Sequence, residues 1–487
     1  MEITPHKKQV LNAFSWKFAE RMGLQGVNFV ILLVLARLLT PADYGVVALV
    51  MIFVAIANTL VQAGFNTALI QKKDPQSTDF FSVLMFSLMA AFFFYMIIYL
   101  VAPWLAKYYK MPALSKVMRV TALMLFPMAF QSIQIAYLTH YLKFKILTIG
   151  SCVAIILAGI AGITSALCGM GIWALVIQQI TNHTCACICL LLLSRWFPIG
   201  KFSFIRLKKM FGFGSRILFS NLLVTLFMNL RSLFIGRLYS AADLGFFNRG
   251  KQFPQALMDG INGTIQSVLL PVYAKHQDNK DKVIGMLRQT IRISVFLIFP
   301  LMCGLAAIAT PLVQVVLSGK WILCVSFIQI FAFSYMCQPS QIASTQTYTA
   351  LGDSSTPLKL EFVRKGLEMS FLLLSLPFGV KMIALSSLVA GIGACLATFY
   401  PNHKLLKYSF IAQLQDIVPA LLLSCTMAGI VWLIGDLLHS LLIKLIVQIS
   451  VGMVVYLILA RIFRMQAYNF LWELISNLVS SKRGKYE

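Results

Sequence analysis

Long runs without charge alternate with short basic patches along this chain. No Asp, Glu, Lys or Arg occurs in Val46–Gln71, Phe80–Ala106, Ile146–Ser194, Ile293–Gly319, Trp321–Gly352 or Ile417–Gly435. A helix that crosses a bilayer needs about 20 mostly apolar residues. Ile146–Ser194 is long enough for two such helices, with a turn at Gly169-Met170-Gly171. The pattern predicts fourteen spans, near 14–38, 46–70, 80–105, 117–140, 147–168, 171–194, 213–238, 246–272, 289–317, 322–350, 358–378, 381–402, 415–435 and 440–460. No period-two pattern recurs, which argues against a β-barrel. The expected fold class is an all-α polytopic membrane protein.

Composition agrees with the pattern. Of 487 residues, 59% are hydrophobic and 12% charged, whereas soluble domains carry about 25% charged residues. The net charge of +25 raises the question of nucleic acid. The cations, however, sit in short connections between spans, so membrane lipids with anionic headgroups and an anionic substrate are the expected partners, and nucleic acid is not. With the N-terminus inside, the even-numbered connections hold most of them: Lys72-Lys73, Lys143 with Lys145, Arg195 to Lys209, Lys275 to Lys282, Lys359, and Lys404 with Lys407. The third connection is the exception, with Lys107, Lys110, Lys116 and Arg119. The positive-inside rule therefore places both termini in the cytoplasm. The N-terminal segment with Lys17, Glu20 and Arg21 shows no small-residue cleavage site, so the first span is expected to direct insertion. Phe470–Val479 and the basic end beyond it are read either as an interfacial helix or as disorder.

The chain also repeats itself. Arg37-Leu38-Leu39-Thr40-Pro41-Ala42-Asp43-Tyr44-Gly45 returns 200 positions later as Arg237-Leu238-Tyr239-Ser240-Ala241-Ala242-Asp243-Leu244-Gly245. At the same offset Gln62 meets Asn262 and Asn66 meets Gln266, and a weaker match pairs Gln131 with Gln341. Six spans separate the copies, so both halves share one orientation, as in parallel-repeat transporters. The expected organisation is an N-lobe over 1–200, a C-lobe over 201–410, two extra helices over 411–463 and a cytoplasmic tail over 464–487, with two six-helix lobes around a central cavity. The motif admits two readings. Thr40 and Ser240 are good N-caps with Asp43 and Asp243 at the third helical position, while Arg37, Gly45, Arg237 and Gly245 complete a unit that could instead serve gating or substrate contact.

Polar side chains inside spans form stripes. Asn58, Gln62 and Asn66 are spaced four apart, and Gln252, Gln255, Asp259, Asn262 and Gln266 follow in the eighth span. Lys17, Arg21, Arg231, Arg249 and the group Glu361, Arg364, Lys365 and Glu368 add charge. Such residues either bond across helices or line a wet cavity; the last group could also anchor at the interface. No catalytic or metal constellation stands out. The six histidines are scattered, no phosphate-binding Gly-rich Lys loop occurs, and the ten cysteines lie almost wholly in apolar stretches, as small filler.

Ala36 to Gly45 resembles the signature after the first helix of polysaccharide and O-antigen flippases of the multidrug/oligosaccharidyl-lipid/polysaccharide exporter superfamily. Ile235 to Arg249 resembles that family's seventh-to-eighth helix junction, and Leu317-Ser318-Gly319-Lys320-Trp321 its turn after helix nine. The colanic-acid-exporter type is nearest; Tyr239-Ser240 and Arg231 depart from the pattern. The resemblance implies two lobes open alternately to each side and a substrate of undecaprenyl diphosphate carrying a short oligosaccharide, for surface polysaccharide biosynthesis. In that frame Arg21, Arg231, Arg249 and Arg364 bind diphosphate. Asn58, Gln62, Asn66, Gln252, Asn262, Gln266, Gln131 and Gln341 contact sugar. Asp259, Glu20 and Glu368 are the carboxylates available for proton or sodium coupling. No cofactor and no enzymatic step are expected; a polysaccharide polymerase and glycosyltransferases are expected neighbours. The rival is a drug/cation antiporter on the same scaffold, which would want an anionic pocket where this chain has 41 basic against 16 acidic residues.

Overall fold

A computed structural model of the chain describes residues 26–276 and 279–473, without the side chains of 260, 261, 263–268, 270, 271 and 280. Helix is the only regular secondary structure among the described residues, with no strand. In order they form α1 Gly26–Leu38, α2 Pro41–Gln62, α3 Phe65–Gln71, α4 Ser77–Tyr108, α5 Pro112–Thr121, α6 Leu125–His140, α7 Phe144–Leu167, α8 Ile172–Ser194 and α9 Phe204–Leu238. Then come α10 Ala241–Ala274, α11 Lys280–Ala307, α12 Ala309–Val316, α13 Cys324–Tyr335, α14 Gln338–Ala350, α15 Ser355–Ser375, α16 Val380–Leu406, α17 Phe410–Asp436 and α18 Leu441–Ile462.

Ten segments among the described residues are long and apolar enough to cross a membrane. The chain is a multi-pass membrane protein. The other four expected spans are not among the ten, for separate reasons. The first is described only from Gly26, α10 is rich in polar residues, and α15 carries five charges. The stretch near 322–350 is two helices, α13 and α14, with Pro339 in the first turn of the second. The expected span 46–70 is likewise broken. Ala63 and Gly64 adopt left-handed conformations at φ 47° and 71° between α2 and α3. A Cβ on Gly64 would lie 2.2 Å from the Gly214 carbonyl oxygen, so α9 presses on this turn and only glycine fits.

The chain divides into two compact units, Met1–Gly245 and Phe246–Glu487. The sequence-based boundary at 200/201 falls in the linker before α9, and α9 packs on α2, α3 and α4 of the first unit. Hydrophobicity does not drive helix association in lipid; close approach does. Accordingly α7 turns Gly150, Ala154, Ala158, Gly162 and Ala166 inward at spacings of four, and α8 is its principal neighbour. In the second unit a core of Phe296, Phe299, Met302, Tyr348, Met427 and Tyr456 joins α11 to α14, α17 and α18. Tyr456 satisfies its hydroxyl there by donating to the Phe296 carbonyl at 2.8 Å.

The turn before α15 carries a pH-dependent cap outside the spans. Asp353 accepts from the Thr356 hydroxyl at 2.6 Å, from both backbone amides of Ser355 and Thr356, and from the Ser355 hydroxyl. These bonds, those of Thr356 first, hold its carboxyl down at about 2. The folded value is depressed, so the cap contributes fully above about pH 4 and is lost as pH falls through about 2. An NMR titration of the Ser355 and Thr356 amides should show a midpoint near 2; a midpoint near 4 would contradict this cap.

Candidate functional site

The two copies of the repeat motif build identical helix starts. The Thr40 hydroxyl accepts from the Asp43 amide at 3.3 Å, and Asp43 Oδ2 accepts from the Thr40 amide at 3.0 Å. Ser240 and Asp243 do the same at 3.1 and 3.2 Å. Each box satisfies amides that a helix N-terminus leaves unpaired. The copies also meet. A Cβ on Gly45 would lie 1.7 Å from the Ala241 carbonyl oxygen, and one on Gly245 would lie 2.0 Å from that of Pro41. Position 41 answers to 241 and 45 to 245, so the contact is reciprocal, as across a local two-fold axis. Arg37 is exposed, and Arg237 stands over the Tyr108 ring at 4.5 Å.

The polar stripes are partly paired. Asn66 donates to Gln62 at 3.2 Å across the break between α2 and α3. Asn262 donates to Gln338 of α14 at 3.0 Å, a partner the sequence reading did not name. Gln131 faces His183 Nδ1 at 3.1 Å, linking α6 to α8, and Gln341 donates to the Gly391 carbonyl at 3.3 Å, linking α14 to α16. The last two thus act as bonds between helices. Asn58, Asn66 and Asn262 each keep a buried Oδ1 with no hydrogen-bond partner among the described residues. The side chain of Gln266 lies outside the described set.

The charged candidates separate in the same way. Arg21 and Glu20 lie outside the described residues. Arg231 is half-buried on α9. Arg249 is buried on α10, donates to Gln252 at 2.7 Å and lies over the Trp321 ring at 5.6 Å. Arg364 pairs with Glu361 at 3.1 Å, and Lys365 with Glu368 at 3.1 Å, so this cluster is substantially self-neutralised along α15. Asp259 is exposed. The described residues hold no group of three His, Cys, Asp or Glu suited to a metal.

Residues 34–326 match the family model described as polysaccharide biosynthesis protein. The chain belongs to that family. Among curated relatives, it is 22% identical to the succinoglycan biosynthesis transport protein ExoT of Rhizobium meliloti, over 66% of this chain and 65% of that protein. It is 26% identical to the teichuronic acid biosynthesis protein TuaB of Bacillus subtilis, over 67% of this chain and 68% of the relative. The alignments thus span about two thirds of these relatives. Among solved structures, the lipid II flippase MurJ in its inward closed conformation superposes with a TM-score of 0.70 at 14% identity, covering 93% of this chain and 98% of that one. That likeness establishes the fold.

The family match ends at 326, and one of two buried anchors missed by the sequence reading lies beyond it. Asp79, fully buried in the first turn of α4, accepts from Lys72 at 2.6 Å, from the Gln76 amide at 2.9 Å and from Arg206 at 3.4 Å. The linker is strapped over this turn. The Ile199 amide donates to the Ser77 hydroxyl and that of Ser203 to the Ser82 hydroxyl, while Trp196 stacks on Tyr137 with ring centroids 3.7 Å apart. In the second unit Asp416 of α17 gathers Arg288 at 2.9 Å, Arg292 at 2.6 Å and the Tyr408 hydroxyl at 2.7 Å, and Arg292 also donates to Gln466. Burial and then the Asp416 carboxylate push the Tyr408 hydroxyl up, so it stays protonated and donating. A sequence signal existed. Asp79 directly precedes the charge-free run from Phe80, Asp416 the run from Ile417, and Arg292 the run from Ile293.

Proposed function

We propose that this protein carries an undecaprenyl-diphosphate-linked oligosaccharide across the bacterial cytoplasmic membrane by alternating access, for surface polysaccharide biosynthesis. The observation that carries the reading is the family match over 34–326. The relatives, named for succinoglycan transport and teichuronic acid biosynthesis, support it, as does the multi-pass helical fold. The physical task is to move a diphosphate and a sugar through hydrocarbon, where both are prohibitively polar. Fixed guanidinium groups suit the diphosphate because they offer paired donors. Arg231 and Arg249, together with Arg21, are the residues proposed for that role; Arg364, already paired with Glu361, is the weakest of the four. The buried acceptors of Asn58, Asn66 and Asn262 suit sugar hydroxyls. Asp259, Glu20 or Glu368 would couple transport to protons or sodium. The protein does not itself perform catalysis on this reading, both termini are cytoplasmic, and a polymerase and glycosyltransferases act before and after it.

Arg231→Ala should reduce complementation of a flippase-deficient strain at least tenfold, with lipid-linked intermediate accumulating by mass spectrometry, while membrane insertion stays normal. Full complementation by an inserted Arg231→Ala protein would remove Arg231 from the substrate path. A wild type that instead accumulated a fluorescent cationic drug in vesicles, and did not complement, would favour the antiporter.

A further inference from the structure

The end of α4 remote from the Asp79 cap gathers cations where the insertion rule disfavours them. Lys107, Lys110, Lys116 and Arg119 belong to the third connection, which the orientation argument places outside. At this end Trp104 and Tyr108 lie one turn apart on α4, ring centroids 5.6 Å apart and planes 15° from parallel. They are 63% and 44% exposed. Tyr109 meets Tyr108 edge-on at 5.2 Å and is itself buried, with its Cε1 only 3.5 Å from where a Cβ on Gly236 would stand, which ties the end of α9 to this corner. From α9, Arg237 reaches over Tyr108 at 4.5 Å. Lys107 and Lys110 are exposed beside the pair, and Lys110, at φ 55°, turns the chain into α5, where Lys116 is exposed. Arg119 lies over Tyr99 at 4.2 Å and donates to its carbonyl at 3.0 Å. None of these five cations makes an ion pair among the described residues, whereas Lys72, Arg206, Arg288 and Arg292 are all held on carboxylates.

We propose that this corner binds an acidic saccharide, one bearing carboxylates, on the membrane face opposite the Asp79 cap. The Trp104 ring, the more exposed of the two, offers its negative π surface to the C–H face of a pyranose. The surrounding ammonium and guanidinium groups neutralise its carboxylates with charge-assisted bonds. An interfacial aromatic belt alone would explain Trp104 and Tyr108. It would not explain five carboxylate-free cations, one of them laid on the same ring from a second helix. The proposal rests on the translocation reading, for which it names the substrate class: the saccharide meets this surface on the outer side.

The test uses the full chain in phosphatidylcholine nanodiscs, with tetragalacturonate as probe, maltotetraose as neutral control and tryptophan fluorescence as readout. Wild type should bind tetragalacturonate and not maltotetraose. Lys107→Gln/Lys110→Gln/Lys116→Gln should weaken binding at least tenfold, and Trp104→Leu at least threefold, with unchanged melting temperatures. Equal binding by the triple variant would overturn the proposal. So would a Trp104→Leu protein of wild-type affinity whose binding is abolished by phosphatidylglycerol in the disc, since that marks a lipid-headgroup surface. A wild type that complements a flippase-deficient strain yet binds no tetragalacturonate removes this site and leaves translocation standing; one that binds but does not complement does the reverse.

Discussion

Gly45→Ala and Gly245→Ala should each lower the melting temperature sharply and abolish complementation, although alanine adds a single carbon. That carbon would stand 1.7 Å from the Ala241 oxygen in the first case and 2.0 Å from the Pro41 oxygen in the second. An ordinary carbon–oxygen contact is about 3.3 Å. The obstacle is backbone in a capped first turn, not a side chain that can swing away. Relief requires the starts of α2 and α10 to part by more than about 1 Å, and overpacking on a smaller scale already costs about 1–3 kcal/mol. Because the first carbon carries the clash, Gly45→Ala should be nearly as damaging as Gly45→Val. Gly285 of α11 provides the control. A Cβ there meets nothing within 4 Å, so Gly285→Ala should be neutral or stabilise by about 0.5–1 kcal/mol. Tryptophan-fluorescence melting in detergent measures all four; a Gly45→Ala protein that melts with wild type would refute the close approach.

Asp416→Ala should be the most destabilising change at an ionisable residue of the second unit. The Asp416 side chain is 2% exposed and accepts from two arginines and a tyrosine that join α11, α17 and the segment between α16 and α17. Removing one partner of a buried pair costs about 3–5 kcal/mol when the remaining charge is fully buried. Arg288 and Arg292 are 35% and 29% exposed and can recover water, so the expected loss is smaller, about 2–3 kcal/mol. Most of it comes from stranding two guanidinium groups and the Tyr408 hydroxyl, not from the attraction itself. Arg288→Ala in the Asp416→Ala background should therefore cost less than in wild type. Additive losses in that double-mutant cycle would show the network to be incidental.

The helix starts were legible in the chain because capping is local: Thr40 with Asp43 and Ser240 with Asp243 lie within one turn, and the sequence states both. The membrane class followed from charge-free runs, since lipid admits no unpaired charge. What interrupted those runs was less legible. The break at Ala63-Gly64 answers to pressure from α9, which is distant along the chain. The pairing of Asn66 with Gln62 survived that break, while Gln131 turned to His183 and Gln341 to a backbone carbonyl.

The sequence by itself determined the solvent this protein folds in, the succession of apolar helices, their caps and the repeated motif. These depend on composition, on spacing and on neighbours within a turn. Only the tertiary structure decided that Gly45 and Gly245 exchange contacts with each other's motif, that Asp79 and Asp416 are anchors, and that Arg237 comes to rest on Tyr108. Each of these joins residues of distant segments, and whether a polar group pairs, packs or faces outward is fixed by which surface arrives beside it.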